Sequence, residues 1–273
     1  MNDKKTEICI SISSSPGTFG ETVHNAGYKY HKLNYLYKAI KAKKIDKVIS
    51  SIHTLDIKGC SVSMPFKEKI IKHLDKVDKL AKDTGAVNTV LKDQNLLIGY
   101  NTYVYGAYRA IKSLKVKKSN DVLILGAGGV ARAIIVALKK IGIKNITIAN
   151  RDLKRAKRIC KSFKCNVIKW ENRNLIKRDI LINATSIGMK NNRLPIRKES
   201  IINFSKVMDV IVSLKDTPII KEAKKQKIRN VSGLVMTFFQ ASSQYKIYTN
   251  KELPISIMLS AYNKKNKINI RLS

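Results

Sequence analysis

Asp121-Val-Leu-Ile-Leu-Gly-Ala-Gly-Gly-Val-Ala131 is the stretch whose reading decides the fold. Its first five residues read as a strand, apolar from Val122 to Leu125, of the kind buried on both faces, and Gly126-Ala127-Gly128-Gly129 follows directly. Glycine permits a tight turn, and the apolar helix predicted over 130–139 brings the free N–H groups of its first turn to the same point. Ile146-Thr-Ile-Ala149 supplies a second buried strand. Strand, turn, helix and strand make a unit able to seat a dinucleotide pyrophosphate on Gly126, Ala127, Gly128, Gly129 and Val130. A glycine turn of this kind also occurs without a ligand, so the next strand end carries the discrimination. An NAD site places an acid there to bind the ribose 2′-hydroxyl. This chain has Asn150-Arg151, then Lys154 and Arg155, and cations suit a 2′-phosphate. NADP (NADPH) is therefore the expected cofactor, held by Asn150, Arg151 and Arg155. Asp152 would oppose a phosphate if it pointed inward, and a solvated basic face is the alternative reading of 151–155.

Beyond this unit, 180–183 and 207–212 read as further strands, so the second half is expected to hold a parallel sheet. Helical periodicity returns over 235–248 and 254–264. In the first half, 8–13, 36–40 and 59–64 read as strands, and helices are expected from about Glu21 and over 45–55. Pro65 closes the third strand and is expected to open a helix with Lys67 on its first turn, where proline is tolerated. Residues 86–91 and 96–101 read as a strand pair around the 92–95 turn, and 105–114 as a helix. The class is α/β in both halves.

The chain has 273 residues, enough for two domains with their own cores. Its net charge of +35, from 54 Lys and Arg against 19 Asp and Glu, raises nucleic-acid binding as a reading. The cations are spread along the whole sequence rather than gathered on one helix, so solvated lysine faces are expected, and no specific nucleic-acid partner. Cys9, Cys60, Cys160 and Cys165 show no paired spacing and are expected to be reduced core thiols. No apolar run approaches the roughly 20 residues of a membrane span, and no signal-peptide pattern opens the chain, so a cytoplasmic protein without a membrane partner is expected.

Gly59-Cys-Ser-Val-Ser-Met-Pro-Phe-Lys67-Glu68, Ala86-Val-Asn-Thr89 and Asn101-Thr-Tyr103 set one lysine, expected to be buried, among small polar residues. With these runs the chain resembles the shikimate dehydrogenase family, whose members carry VTxPFK, AVNT and NTD in that order. Asn183-Ala-Thr-Ser-Ile-Gly-Met189 is similar to the family's NATSxGM segment, which implies Thr185 and Ser186 near the cofactor. Ser232-Gly233-Leu-Val-Met236, followed by Gln240, resembles its GxxMLxxQ element. That implies Gly233 and Met236 at the nicotinamide and Gln240 at the substrate, while core packing is the plain alternative for Met236. Asp209, Thr217 and Pro218 match the family's DxxYxPxxTP, with Val212 and Leu214 replacing its tyrosine and middle proline. Ile211 in this segment is expected at the cofactor. The wording GCSVSMPFKE, the Phe19-Gly20 before His24-Asn25, and Val212 look most like the shikimate dehydrogenase-like subgroup.

The resemblance implies an N-terminal α/β substrate domain, 1–104, with helices of 238–273 returning to it, and a Rossmann-type NADP domain, 105–237. It also implies Lys67 as the group that moves the proton of the reacting hydroxyl, paired in the family with the aspartate of NTD. Tyr103 stands in that aspartate's place, a phenol that cannot pair with the lysine as a carboxylate does. Anchored on His24-Asn25, Thr18 and Gly20 fall where two substrate-binding serines are expected. Thr18, Ser63, Asn88, Thr102 and Gln240 are the candidate contacts for a hydroxylated ring carboxylate, and none of the motifs calls for a metal. His24 reads as structural rather than catalytic. Two functional readings follow. One is NADP-linked interconversion of 3-dehydroshikimate and shikimate, or of a close polyol relative, by a monomer or homodimer. The other is a catalytically impaired ligand-binding protein of the same fold.

Overall fold

The computed structural model describes residue 3 and residues 5–271; positions 1, 2, 4, 272 and 273, at the ends of the predicted first domain, lie outside the described residues. In chain order the elements are β1 (Glu7–Ser13), α1 (Phe19–Tyr30), β2 (Tyr35–Lys41), α2 (Ile45–Thr54), β3 (Ile57–Val62), β4 (Lys76–Val77), α3 (Lys79–Thr84), β5 (Thr89–Asp93) and β6 (Leu96–Tyr100). Then come α4 (Thr102–Ser113), β7 (Val122–Leu125), α5 (Gly129–Ile141), β8 (Ile146–Asn150), α6 (Leu153–Phe163), β9 (Asn166–Lys169), β10 (Ile180–Asn183) and β11 (Lys206–Asp209). The last are α7 (Pro218–Lys225), β12 (Arg229–Val231), α8 (Gly233–Thr249) and α9 (Ile255–Asn266). They sort into two compact units: the residues up to Thr102 with those from Phe238 onward, and Tyr103–Thr237.

The first unit holds a six-stranded sheet in the order β2-β1-β3-β5-β6-β4. β1 runs parallel to β2 and β3, while β5 is antiparallel to both β3 and β6. The β5–β6 reversal is tight because Gln94 takes a left-handed conformation at φ 52°. One face of this sheet buries Ile10, Ile12, Val62, Val90 and Leu97 with Ile45 and Ile52 of α2. The C-terminal helices return to this unit, as expected. Phe238 of α8 and Tyr262 of α9 both meet Phe19 edge-on at ring separations of 5.2 Å, a favoured aromatic geometry. The seat of α8 requires glycine at two points. A Cβ on Gly27 would lie 2.4 Å from Leu253 and 2.5 Å from Tyr245, and one on Gly59 would lie 2.4 Å from Tyr248.

The second unit is a six-stranded sheet in the order β12-β11-β10-β7-β8-β9, parallel throughout. β7 and β10 are buried along their whole length, which is why they read as unbroken apolar runs rather than alternating ones. Several expectations need correction. Pro65 does not open a helix: the Met64–Pro65 bond is cis, Phe66 N–H donates to Ser63 O at 2.9 Å, and only a short 3₁₀ turn, Lys69–His73, follows. The carbonyl of Lys67 is spent on Val87 N–H at 2.9 Å, so it is lost to any helical ladder. Lys67 itself is half-buried, since Ser63, Met64, Pro65 and Glu68 around it are exposed. The strand expected over 207–212 stops at Asp209, leaving Val212 exposed. The basic run at 154–158 is part of α6, whose buried Ala156, Ile159 and Cys160 carry helical spacing. β9, α7 and β12 complete the unit without having been foreseen. Of the four cysteines, Cys9, Cys60 and Cys160 are buried and Cys165 half-buried, all as free thiols.

Gly59→Ala is expected to lower stability by about 1–3 kcal/mol in a denaturant titration, because the new methyl meets the fully buried Tyr248 ring.

Candidate active site

Hydrogen bonds within the first unit draw the motif segments of the sequence together. Val62 N–H donates to Asn88 O at 2.8 Å, Asn88 N–H to Tyr100 O at 3.0 Å, and Val87 N–H to Lys67 O at 2.9 Å. Asn88 and Thr102 then bond reciprocally: Asn88 Nδ2 donates to Thr102 Oγ1 and Thr102 N–H to Asn88 Oδ1, both at 2.8 Å. Asn101 Nδ2 reaches Thr84 Oγ1 and Ala86 O, also at 2.8 Å. Asn88 and Thr102 are each 2% exposed. Asn88 Oδ1 accepts a second bond from Thr89 Oγ1 at 3.2 Å, so its one remaining donor capacity is an amide proton. These two residues brace the turn that carries Lys67.

Gln244 belongs to the same network and was missed in the sequence. Its Nε2 donates to Thr89 Oγ1 at 3.0 Å and to Asn88 O at 3.3 Å, one helical turn beyond the half-buried Gln240 of α8. The spacing of four from Gln240 was the available signal. Ser63 and Thr18 are exposed, with Thr18 at the N-cap of α1 and its hydroxyl not used in capping. Tyr103 follows Thr102 in α4 and is half-buried.

Gly20, where a substrate-binding serine was expected, faces Tyr37. A Cβ there would lie 3.1 Å from the Tyr37 hydroxyl and 3.2 Å from its ring. That hydroxyl donates to Ser61 Oγ at 2.7 Å, and Ser61 Oγ in turn lies 3.0 Å from Tyr248 Oη. A buried chain of hydroxyls thus abuts the position of the absent serine. His24 is buried and stacked on Tyr37 at 4.5 Å, and burial pushes its pKa down to about 3. It is neutral at physiological pH and belongs to the aromatic core.

In the second unit the glycine turn lines a pocket of about 170 Å³. Gly126, Ala127 and Gly128 form one side of it, Asn150, Arg151 and Arg155 another, and Thr185, Ser186 and Ile187 a third. Trp170, which no sequence pattern singled out, completes the lining from the segment after β9. Gly126 has φ +107°, and a Cβ would come 2.7 Å from Ala184 O, so no other residue fits. At Gly128 and Gly129 a Cβ would meet nothing within 4 Å, and α5 starts there with no side chain capping its first turn. Its open N–H groups suit a pyrophosphate. Val130 sits half-buried in the same first turn. Asp152 does not oppose a phosphate by pointing inward: its carboxylate caps α6 by accepting from Arg155 N–H at 2.9 Å. These residues fit a dinucleotide with a 2′-phosphate.

The loop on the third side is held from beneath by Asn183. Its Oδ1 accepts from Thr185 N–H at 3.1 Å and Thr185 Oγ1 at 2.7 Å, and its Nδ2 donates to Asp209 Oδ1 at 3.1 Å. Asp209 also accepts from Thr217 Oγ1 at 2.5 Å and Ile211 N–H at 3.1 Å. Burial pushes its pKa up to about 6, against the opposing pull of those donors. Ile211, Gly233 and Met236 lie outside the pocket. Ile211 and Met236 are buried, and Gly233 is a glycine because a Cβ would come 2.4 Å from the Val210 backbone. Among the described residues no cluster of His, Cys, Asp and Glu could hold a metal, and no helix is long and apolar enough to cross a membrane.

A parallel sheet with an open glycine cradle, two arginines at the next strand end, and a separate α/β unit presenting a lysine define a two-unit dinucleotide-dependent oxidoreductase class. Within it, the chain belongs to the shikimate dehydrogenase family. Residues 9–90 match the shikimate dehydrogenase substrate binding domain, and 109–224 the shikimate / quinate 5-dehydrogenase domain. A shikimate dehydrogenase-like protein of Haemophilus influenzae is 34% identical over 92% of this chain and 93% of its own. The shikimate dehydrogenase (NADP(+)) of Methanococcus aeolicus is 37% identical over 96% of this chain and 98% of its own. A crystal structure of a shikimate dehydrogenase in complex with NADP+ superposes with a TM-score of 0.89 at 33% identity, covering 97% of both chains.

Asp209 generates a pH prediction. Its folded pKa of about 6 lies above the unfolded value of about 3.9, so the folded state binds the extra proton between them, and its contribution to stability falls as pH rises from about 4 through 6. Two pKa units correspond to about 3 kcal/mol. In urea unfolding at pH 4.5 and 7.5, Asp209→Asn is expected to gain on the unsubstituted protein at the higher pH by up to about that amount; an equal difference at both pH values would refute it.

Proposed function

We propose that this chain is an NADP-dependent oxidoreductase interconverting 3-dehydroshikimate and shikimate, or a close polyol relative. One observation carries the reading: segments 59–67, 86–89 and 101–102 are hydrogen-bonded into a single brace for Lys67. The names of its relatives and the arginine-flanked pocket support it. NADPH, when bound, supplies the hydride to the carbonyl carbon. The chain's own groups do the rest. Lys67 delivers the proton to the carbonyl oxygen on reduction and takes it back on oxidation. Thr18, Ser63 and Gln240 are assigned to the ring hydroxyls and carboxylate, with Thr102 holding Asn88 so that its last amide proton is aimed. The first turn of α5 holds the pyrophosphate and Arg151 and Arg155 the 2′-phosphate. Ile211, Gly233 and Met236 are assigned to the nicotinamide end. Residues 1–104 with 238–273 act as substrate domain and 105–237 as NADP domain, in a cytoplasmic monomer or homodimer with no specific nucleic-acid partner.

A second reading is favoured by Tyr103, whose phenol stands where the family has the carboxylate partner of the lysine. Loss of such a partner commonly costs on the order of 10² to 10⁴ in rate, which would leave a ligand-binding protein. Steady-state NADPH oxidation with 3-dehydroshikimate separates the two. Turnover is expected to exceed that of Lys67→Ala by roughly 10²-fold or more while both bind NADPH. Equal rates with intact NADPH binding would sink the enzymatic reading, and a gain of activity in Tyr103→Asp would then identify the defect. If Tyr103→Asp abolishes an existing activity instead, the phenol is part of an altered mechanism.

A further inference from the structure

Trp170 is the only tryptophan of the chain and the only aromatic residue lining the pocket at the glycine turn. Its place in the sheet decides what it can meet. A pyrophosphate at the turn after β7 sends one half of a dinucleotide over β8 and β9 and the other over β10 and β11, because strand order reverses at β7. Arg151 and Arg155 mark the β8 side as the 2′-phosphate end. Trp170 leaves the end of β9 on that same side. The indole is also fixed. It packs against the apolar cluster containing Leu125, Ala149 and Ile196, and the Arg173 guanidinium lies 4.0 Å from its ring centroid. Arg173 is held in turn by donating from Nε to Pro195 O at 2.8 Å and from Nη1 to Trp170 O at 2.6 Å. A flat apolar surface set in advance costs little ordering when a planar ring is laid on it.

We propose that Trp170 is the adenine-recognition residue of this chain, its indole forming the wall against which the purine of a 2′-phosphorylated adenosine lies. The proposal rests on the NADP reading above. It divides the work on one half of the cofactor: Arg151 and Arg155 read the 2′-phosphate by charge, and Trp170 reads the base by its face. Ring-on-ring contact of this kind contributes roughly tenfold to a hundredfold in affinity.

The test uses adenosine 2′,5′-bisphosphate, which has the base and the phosphate but no nicotinamide to absorb indole emission. Titrated into the intact protein, it is expected to change the emission of the single tryptophan saturably, with the midpoint found by calorimetry. Trp170→Leu keeps apolar packing against the core and is expected to weaken the bisphosphate and NADPH by roughly tenfold to a hundredfold, while Trp170→Phe recovers most of the loss. Ligand-free thermal midpoints of the two variants check that folding is intact. Calorimetric binding with unchanged emission, together with a Trp170→Leu affinity equal to that of the unsubstituted protein, overturns the assignment and leaves the NADP reading standing. Failure of the unsubstituted protein to bind either the bisphosphate or NADPH overturns both.

Discussion

The reciprocal hydrogen bonds between Asn88 and Thr102 are the constraint on which the lysine site depends. Both side chains are almost wholly removed from water, so a missing partner would leave a buried polar group at a cost of about 1–3 kcal/mol. Because each satisfies the other, the start of β5 and the start of α4 are locked in one register. The Lys67 turn is fastened to the same place through its own carbonyl, and Gln244 closes the arrangement from α8. A buried hydrogen-bonded network of this kind stiffens the segments that it joins. Lys67 is half-buried as a residue and is held at its backbone.

The second unit solves the same problem with a second asparagine. Asn183 uses all its bonding capacity on Thr185, Ile187 and Asp209, so the loop lining the pocket is fixed from below while its own upper surface stays open. The side chain of Asn183 supports the loop, while the glycine turn leaves backbone open to the pocket. Gly126 is fixed by its conformation and its closeness to Ala184, whereas Gly128 and Gly129 are fixed by what they leave empty.

Periodicity and turn chemistry made most of the elements legible: the buried strands β7, β8 and β10, the β5–β6 hairpin and the C-terminal helices. The helix expected at Pro65 failed because local propensity cannot register a carbonyl claimed by Val87, a residue twenty positions away in sequence. α6 was hidden because its lysines and arginines drew attention from the spacing of Ala156, Ile159 and Cys160. Motif residues pointed to both candidate sites, but their supports did not announce themselves. Gln244 offered only its spacing of four from Gln240 and Trp170 no pattern at all, and their neighbours exist only after folding.

Tyr103, Gly20, Val212 and Leu214 set this chain apart from the pattern of its family. Tyr103 replaces a carboxylate, and Gly20 lies against the Tyr37 hydroxyl where a serine was expected. Tyr103 and Gly20 fall at positions expected near the substrate, while Asn150, Arg151 and Arg155 line one pocket with the glycine turn. The central claim is therefore that the lysine still handles a proton while hydride moves from NADPH. Isotope transfer tests it most directly: the protein is incubated with NADPH deuterated on the transferred face at the nicotinamide C4, and with 3-dehydroshikimate, and the product is analysed by mass spectrometry. Deuterium in shikimate, formed by the unsubstituted protein and lost in Lys67→Met, is the predicted result. Product absent above the level of Lys67→Met, with NADPH bound, would contradict it.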